Sequence, residues 1–500
     1  MLSATPALAE GGPPQVARAP ERLSREDLAW LRRASFGLDS AEVARFHKLG
    51  RARYLQSQLA AGEDELPPAI ESLLRGYEAL RIPAEQLAAA QHAEQQRIKS
   101  MPDGSLKVAA KKSLQQHGSA LLQQAEEAEL LHAVYGTDQL KEELVWFWLN
   151  HFSVYGAKGR VRWVAADYAE NTIRPHALGK FRDLVMATLQ SPAMLEYLDN
   201  AQNAKGKINE NYARELMELH TLGVGSGYTQ EDVQQLARIL TGVGVAPPDG
   251  RPRHLPPKWQ ALYIRRGLFE FNPARHDFAS KMFLGHAIEG SGFEEVEKAL
   301  ALITRQPACA RFISLELAKY FIADDPPPAL VAKMARTFRR TDGDIAQVMR
   351  TLFESKRTGA PAQKFADPTQ FVVSAVRLAY DGKAIADAAP LRNWLHQLGE
   401  PTFGRLTPDG WPLDAAGWSS SGQLAERFRI ARAVGTGNNR LFTAEGSTER
   451  EAGFPMLTTR LYYQAFDPYL APATRNALSK AQSQQEWNTF LLSSPDFNER

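Results

Sequence analysis

The sequence has almost no cysteine, since Cys309 is the one cysteine among 500 residues. A single thiol excludes an intramolecular disulfide and any metal site built from several cysteines. Cys309 stands between two alanines in a helical pattern, which favours a small buried thiol over a nucleophile. The sequence therefore predicts no cysteine chemistry.

Long apolar runs and an excess of one charge are missing as well. No apolar stretch approaches the 18 residues or so that a membrane-spanning helix needs, so we expect no membrane span. Lysine and arginine total 59 and aspartate and glutamate 57, and the resulting net charge of +2 argues against a dedicated nucleic-acid binder. Hydrophobic residues at 44% and charged residues at 23% are ordinary globular values and allow a sizeable core.

The N-terminal residues 1–22 are rich in alanine, glycine and proline, which predicts a disordered leader. Ala7-Leu8-Ala9 resembles a signal-peptidase site, although no basic segment and no full apolar segment precede it. Either the native start lies upstream and this is a signal-peptide remnant, or the segment is a flexible leader. Export is the favoured interpretation, and it predicts a periplasmic or secreted protein.

From residue 23 to residue 500, periodic apolar patterns predict one large, mainly α-helical domain with very little strand. Residues 67–134 are rich in alanine, glutamine, glutamate and lysine and are broken by a turn at 102–105. This pattern predicts a projecting helical hairpin. The best candidate for a strand is short and covers 268–271.

Helix starts are marked by residues that cap the free backbone N–H groups of the first turn. Ser24 with Asp27 and Thr229 with Asp232 have the spacing of a capping box. Asp138 precedes a strongly apolar stretch and is expected to open a further helix.

The most chemically loaded stretch is 209–223, which predicts a helix that stops at a glycine. At about 100° per residue, acidic and amide side chains share one face with an arginine, whereas His220 lies on the opposite, apolar face. The polar residues of this stretch that we consider for a site are Asn209, Glu210, Asn211, Arg214, Glu215 and Glu218. Pairing of Arg214 with Glu210 and Glu218 also fits a solvated, ion-paired surface helix.

Carboxylates, amides and an arginine in one groove suit the hydroxyl groups of a sugar. Two neighbouring carboxyl groups, one with a raised pKa, are the apparatus of glycosidic bond cleavage. The sequence hypothesis is that Glu210 or Glu218 acts as general acid, assisted by the other glutamate or by Asp199. The further substrate-binding candidates outside the helix are Asn150, His151, Asn200, His276, Asp277 and Lys281.

His151 and His220 both project from apolar helix faces. A buried histidine is usually a core residue with one ring nitrogen hydrogen-bonded. The alternative is a metal site to which His276 and Asp277 add ligands, but the motif spacings of zinc and di-iron sites do not occur around these residues. We therefore assign no metal ligand and expect no cofactor.

Two basic segments contain aromatic residues, Lys158-Gly159-Arg160-Val161-Arg162-Trp163 and a proline-rich loop at 251–266. Such segments can hold an anionic polymer. Solvated loop charge is the simpler interpretation.

Several longer motifs point to a known family. They are Trp146–Phe152 (WFWLNHF), Pro192–Asn200 (PAMLEYLDN), the 209–223 stretch with Gly227–Gln230, His276-Asp277 with Lys281–Gly285 (KMFLG), and Gly410-Trp411-Pro412. On these motifs the chain resembles, over most of its length, a large bacterial family catalogued as domain of unknown function 1800. It departs from the family pattern at Leu240-Thr241-Gly242-Val243, where tryptophan tends to follow the glycine, and at Gly399-Glu400-Pro401, where Gly-Gln-Pro is usual.

The resemblance implies an often exported bacterial protein, commonly encoded beside a sulfatase-like family, and implies no established activity. Three functions follow as hypotheses. The first is binding or hydrolysis of a cell-envelope or extracellular polysaccharide, for which the acidic helix, the His151 helix and the Asp199-Asn200 corner should meet in one groove. The second is a non-catalytic scaffold or assembly partner of the sulfatase-like neighbour, and the third is a metal-dependent enzyme using His151, His220 and His276.

Overall fold

The structure is a computed structural model and describes residues 22–60, 62, 65–249, 255–360, 364–443 and 453–500. The predicted leader at 1–22 lies outside these ranges except for Arg22, and so do Arg251 and Arg253 of the basic loop. The described residues are mainly α-helical with little strand, which confirms the predicted fold class.

Twenty-four α-helices occur within the described ranges. The first twelve are α1 (Arg25–Arg33), α2 (Ser40–Leu59, interrupted at Gly50), α3 (Pro68–Gly76), α4 (Glu78–Arg81), α5 (Ala84–Ser100), α6 (Ser105–Tyr135), α7 (Gln139–His151), α8 (Val161–Asp167), α9 (Phe181–Gln190), α10 (Pro192–Tyr197), α11 (Asn211–Glu218) and α12 (Gln230–Ile239). The others are α13 (Pro257–Gln260), α14 (Phe293–Thr304), α15 (Pro307–Phe321), α16 (Pro328–Arg340), α17 (Ile345–Phe353), α18 (Pro368–Tyr380), α19 (Ala389–Leu398), α20 (Ser421–Gly435), α21 (Arg460–Ala465), α22 (Pro472–Leu478), α23 (Gln484–Ser493) and α24 (Pro495–Asn498).

The strands are β1 (Val243–Val245), β2 (Ile264–Arg266), β3 (Phe269–Phe271), β4 (Lys281–Phe283) and β5 (His286–Ile288). β1 and β2 pair antiparallel with the two edges of β3, and β4 pairs antiparallel with β5. β3 lies in the segment predicted as a strand. The small sheets lie between α12 and α14 in the chain, so they are an elaboration of a helical body.

Helix starts follow the capping residues of the sequence. The hydroxyl of Ser24 accepts a hydrogen bond from the N–H of Asp27 at 3.0 Å. At α12 the capping is reciprocal, because Thr229 Oγ1 accepts from the Asp232 N–H at 3.1 Å and the Asp232 carboxylate accepts from the Thr229 N–H at 2.8 Å. These bonds satisfy backbone donors that a helix leaves free in its first turn.

Within the segment 67–134, α5 and α6 are joined by a turn at 101–104 and form a helical hairpin, whereas the residues before α5 form the short helices α3 and α4. The second half of α6 is buried against the body, whereas the side chains of Leu106 and Val108 near the turn are 76% and 66% exposed. The end of the hairpin therefore projects from the protein.

Helix α7 runs through the apolar core. Leu140, Leu144 and Trp148 are fully buried on it, and the Trp148 indole N–H donates to the carbonyl oxygen of Ala177 at 3.0 Å. Because the core holds α7 along most of its length, it fixes the position of Asn150 and His151 at its C-terminal end. Cys309 is buried on α15, and burial raises the pKa of its thiol.

No helix within the described ranges is long and apolar enough to cross a membrane.

Candidate functional site

A polar pocket of about 410 Å³ opens where the end of α7 meets α15 and the loop at 405–414. The side chains that line it are mostly charged or hydrogen-bonding; they include Asn150, His151, Glu316, Lys319, Asp324, Arg405, Asp409, Trp411 and Asp414. Two of the residues considered from the sequence, Asn150 and His151, belong to this wall.

Asn150 holds the loop that forms the opposite wall. Its side-chain NH₂ donates to the Trp411 carbonyl oxygen at 3.0 Å, and its side-chain oxygen accepts from the Trp411 N–H at 2.6 Å. Next to Trp411, Gly410 has φ of +72°, and a Cβ there would lie 2.4 Å from the carbonyl oxygen of Asn150. Asn150 is therefore committed to positioning Trp411, a half-buried indole at the pocket.

Replacing Gly410 by alanine should displace this loop. Both the positive φ and the contact with the Asn150 carbonyl oppose a side chain, and we expect a loss of about 1–3 kcal/mol in the free energy of unfolding together with a changed Trp411 environment. Urea unfolding and tryptophan fluorescence measure the two effects. Gly206→Ala is the matched control, since Gly206 has φ of +78° and a Cβ added there would meet no atom within 4 Å. Equal effects of the two variants would contradict the role of the close contact.

Ion pairs balance the charges around the pocket. Arg405 binds Asp409 through two nitrogens, at 2.8 and 3.1 Å, and Glu316 pairs with Lys319 at 3.1 Å. Desolvation tends to raise the pKa of Asp409, but the hydrogen bonds from Arg405 and Thr407 and the charge of Arg405 together outweigh it and lower that pKa. Asp409 is therefore ionised at neutral pH.

The acidic helix is shorter than the sequence predicts. α11 covers Asn211–Glu218, with Glu210 as its N-terminal flanking residue and a wider turn after Glu218. Glu210 accepts hydrogen bonds from Arg214 at 3.2 Å and from the amide of Gln230 at 2.8 Å. The carboxylate of Glu210 thus serves to tie α11 to the start of α12.

The remaining carboxylates of α11 differ in their partners. Glu218 pairs with Arg214 at 3.4 Å and accepts a hydrogen bond from Tyr228, and desolvation together with that carboxylate raises the pKa of Tyr228 to about 12. The half-buried Glu215 carboxylate forms no hydrogen bond or ion pair among the described residues. Desolvation, followed by the charge of Glu218 and with a further contribution from Asp409, raises the pKa of Glu215. The environment of Glu215 therefore favours its protonated form more than water does.

Asp199 and the asparagines fasten the loop between α10 and α11. Asp199 pairs with Lys158 at 2.9 Å. The amide of Asn200 donates to backbone oxygens of Leu240 and Val243, that of Asn209 to the Asp199 backbone, and that of Asn211 to the Leu198 backbone. The amide N–H groups of these asparagines are therefore engaged with backbone oxygens of the protein.

The two histidines predicted on apolar faces are neighbours, with ring centroids 6.1 Å apart. His151 Nε2 donates to the His220 carbonyl oxygen at 3.0 Å, and burial lowers the pKa of His151. Burial lowers the pKa of His220 to about 3, and neither of its ring nitrogens has a hydrogen-bond partner among the described residues. Both rings are therefore neutral at pH 7, and their contact joins the end of α7 to the turn after α11.

His276, Asp277 and Lys281 form a separate cluster, in which His276 and Lys281 are buried and Asp277 is half-buried. His276 shares the carboxylate of Glu295 with Lys281, with 2.9 Å between His276 Nε2 and a Glu295 oxygen, and its Nδ1 donates to the Thr241 carbonyl oxygen at 2.7 Å. Asp277 accepts from Arg238 at 2.8 Å. No group of three or more histidine, cysteine, aspartate or glutamate side chains arranged to hold a metal ion occurs in the described ranges. The metal-enzyme hypothesis stays a prediction.

The family described as "Protein of unknown function (DUF1800)" matches residues 29–499. The chain belongs to the DUF1800 family. No curated protein and no solved structure matches it.

Two of the DUF1800 motifs meet at the pocket, since 146–152 supplies Asn150 and His151 and 410–412 supplies Trp411. The sequence alone marks the second motif without placing it in a site, and it does not single out Glu316 or Asp409. The pairing of Arg405 with Asp409 at i,i+4 before a Gly-Trp-Pro turn is the available signal. Nothing in the local sequence indicates that Glu316 faces the same space.

Proposed function

We propose that the protein is exported and binds, and by its carboxyl groups hydrolyses, a cell-envelope or extracellular polysaccharide. The observation that carries the proposal is the environment of Glu215: a half-buried carboxyl group with a raised pKa and no partner among the described residues, which lies outside the pocket lining but experiences the charge of the ionised Asp409. Glycosidases need this division between a protonated and an ionised carboxyl group.

Glu215 is the residue we assign as general acid. In that role it donates its proton to the glycosidic oxygen as the bond to the anomeric carbon breaks, and a water molecule supplies the hydroxyl group that the anomeric carbon takes up. Glu218 follows it by three residues on α11, which places the two Cβ atoms roughly 5–6 Å apart. Carboxyl groups about 5–10 Å apart are the working range of glycosidases. Glu218, held by Arg214 and Tyr228, is thus a suitable second carboxylate.

Trp411 supports the assignment to a sugar. Its half-buried indole stands at a pocket whose other groups are mainly hydrogen-bonding, and Arg405 lies 5.4 Å above its ring. An amphipathic aromatic surface beside polar groups matches a pyranose, which has apolar C–H faces and hydroxyls around its edge. Asn150 keeps this indole in place.

The test is hydrolysis and binding of purified glycans, including peptidoglycan, alginate and cellulose oligosaccharides, by the full chain. Glu215→Gln should lower the rate of reducing-end release by about 100-fold or more, as expected for loss of a general acid. Glu210→Gln is the matched control on the same helix and should change the rate by only a few-fold, because Glu210 binds Arg214 and Gln230. The activity of the unmodified protein should fall as pH rises through the raised pKa of Glu215.

Binding is measured separately by calorimetry. Trp411→Ala should weaken the binding of any glycan that the protein recognises. A glycan bound equally well by the Trp411→Ala variant, or hydrolysed equally well by the Glu215→Gln variant, would remove the support for this site.

A further inference from the structure

A second groove, of about 560 Å³, runs along the hairpin between α5, α6 and the start of α8. Its cations are Lys99 from α5, Lys111 from α6 and Arg162 from α8, and the described residues that line it include no carboxylate. Three helices thus bring positive charge to one concave surface, although the whole chain has a net charge of only +2.

Arg162 differs from the other two cations of its sequence segment. Lys158 and Arg160, from the same basic segment as Arg162, are neutralised by Asp199 at 2.9 Å and Glu196 at 3.3 Å. Arg162 has no carboxylate partner among the described residues; one terminal nitrogen donates to the Ala157 carbonyl oxygen at 2.9 Å, and its buried Nε has no partner there.

Lys99 and Lys111 likewise form no ion pair within the described ranges, whereas Arg97 and Lys107 on the same hairpin do. Lys112, on α6 outside the groove, forms no ion pair among the described residues either, so pairing alone does not mark the groove. We treat the groove as a binding surface because three cations without an ion pair, one from each of three helices, line one concave surface whose described lining contains no carboxylate.

The inner wall of the groove is shaped by a close approach of α6 to α8. A Cβ on Gly118 would lie 2.7 Å from Arg162 Cδ and 2.8 Å from the indole nitrogen of Trp163. The glycine thus lets Arg162 and Trp163 sit against α6. Trp163 is only 4% exposed, so the groove offers no free aromatic face.

We propose that this groove binds an anionic polysaccharide chain, carrying carboxylate or sulfate groups, and so defines the substrate class of the pocket. The inference rests on the proposed function for its link to hydrolysis, but binding itself is independent of it. Single-stranded nucleic acid is disfavoured because it needs exposed aromatic faces on which bases stack. The cations, and the glutamine side chains that share the groove, instead suit acidic sugars with many hydroxyls.

The experiment measures binding of polygalacturonate and dextran sulfate, with uncharged dextran, single-stranded DNA and vesicles containing anionic phosphatidylglycerol as comparisons. The triple variant Lys99→Gln, Lys111→Gln, Arg162→Gln should bind one of the acidic glycans about 10-fold more weakly, since three charge contacts of a few tenths of a kcal/mol or more each are lost. Affinity of the unmodified protein should fall as NaCl is raised from low to high concentration.

The matched control replaces Lys48, Lys333 and Arg336, exposed cations of α2 and α16 that do not line the groove, with glutamine. It should leave affinity within about two-fold, and far-UV circular dichroism should show both triple variants folded. The proposal would be overturned if both triple variants lost affinity equally, or if the unmodified protein bound neither acidic glycan. Tighter binding of DNA or of the vesicles than of the acidic glycans would also overturn it. The Glu215→Gln variant should still bind acidic glycans. If the unmodified protein binds acidic glycans but hydrolyses none, the proposed hydrolase activity is refuted and the proposed binding groove is supported.

Discussion

Replacing Arg174 by methionine is expected to lower the free energy of unfolding by about 3–5 kcal/mol, the range found when one partner of a buried ion pair is removed. Arg174 binds three carboxylates at once: Glu129 at 2.9 Å, Glu170 at 3.1 Å and Glu142. Removing the guanidinium leaves three acidic side chains facing one another with little water. The cost follows from that unpaired charge and exceeds the worth of any single contact.

The position of Arg174 makes the effect global. Glu129 lies on α6, Glu142 on α7 and Glu170 in a π-helical turn after α8, so one side chain ties the hairpin to the central helix. Desolvation already raises the pKa of Glu129 to about 7, although Arg174 opposes that rise. Without the arginine, we expect this pKa to rise further.

The dependence on pH separates this explanation from simple loss of packing. In the Arg174→Met variant, the buried carboxyl groups can be accommodated only when protonated, so the folded state binds more protons than the unfolded state and stability falls as pH rises. Urea unfolding at pH 5 and pH 8 should therefore show a smaller deficit at pH 5. Arg174→Lys, which keeps a charge but loses the planar fork, should be intermediate. A deficit that is the same at both pH values would assign the effect to packing.

Much of the fold can be predicted because helix signals are local. Capping pairs, apolar periodicity and the turn at 102–105 act over a few residues, and each is recovered as a cap, a buried face or the hairpin turn. The same local signal makes α11 too long in the prediction. The apolar periodicity continues to Gly223, but α11 ends at Glu218 and the backbone continues in a wider turn. In that turn His220 is buried in the core, and its carbonyl oxygen accepts a hydrogen bond from His151.

The site can be predicted only in part because its groups come from distant segments. Asn150 and His151 belong to a recognisable sequence motif, whereas no motif around Glu316 on α15 indicates that it lines the pocket. The sequence suggests Glu210 or Glu218 as general acid because carboxylates and amides share one face of the predicted helix. What distinguishes Glu215 is the lack of a partner among the described residues and the nearby Asp409, and both depend on tertiary packing.

Glu400 stands where the family pattern has glutamine, and its surroundings explain how an acid replaces an amide. It is fully buried, and one carboxyl oxygen accepts from the N–H and the hydroxyl of Thr369, both at 2.8 Å. Desolvation, then the charge of Asp367, raises the pKa of Glu400 well above its usual value, although the Thr369 hydrogen bonds and Arg427 oppose the rise. Burial therefore favours the neutral acid form of Glu400, which has the shape of glutamine.

Glu400→Gln is accordingly expected to become increasingly more stable than the unmodified protein as pH rises. Above the ordinary glutamate pKa of 4.5, the unfolded chain releases the Glu400 proton while the folded chain keeps it, so the unmodified protein loses up to about 1.4 kcal/mol per pH unit until its folded pKa is reached. The glutamine variant lacks this loss. Urea unfolding from pH 5 to pH 8 measures the difference between the two proteins, and any constant cost of the amide cancels from its slope. Glu297→Gln, at an exposed position of α14, should give no slope. A pH-independent difference for Glu400→Gln would mean that Glu400 is ionised in the folded state and that its charge is compensated by Arg427.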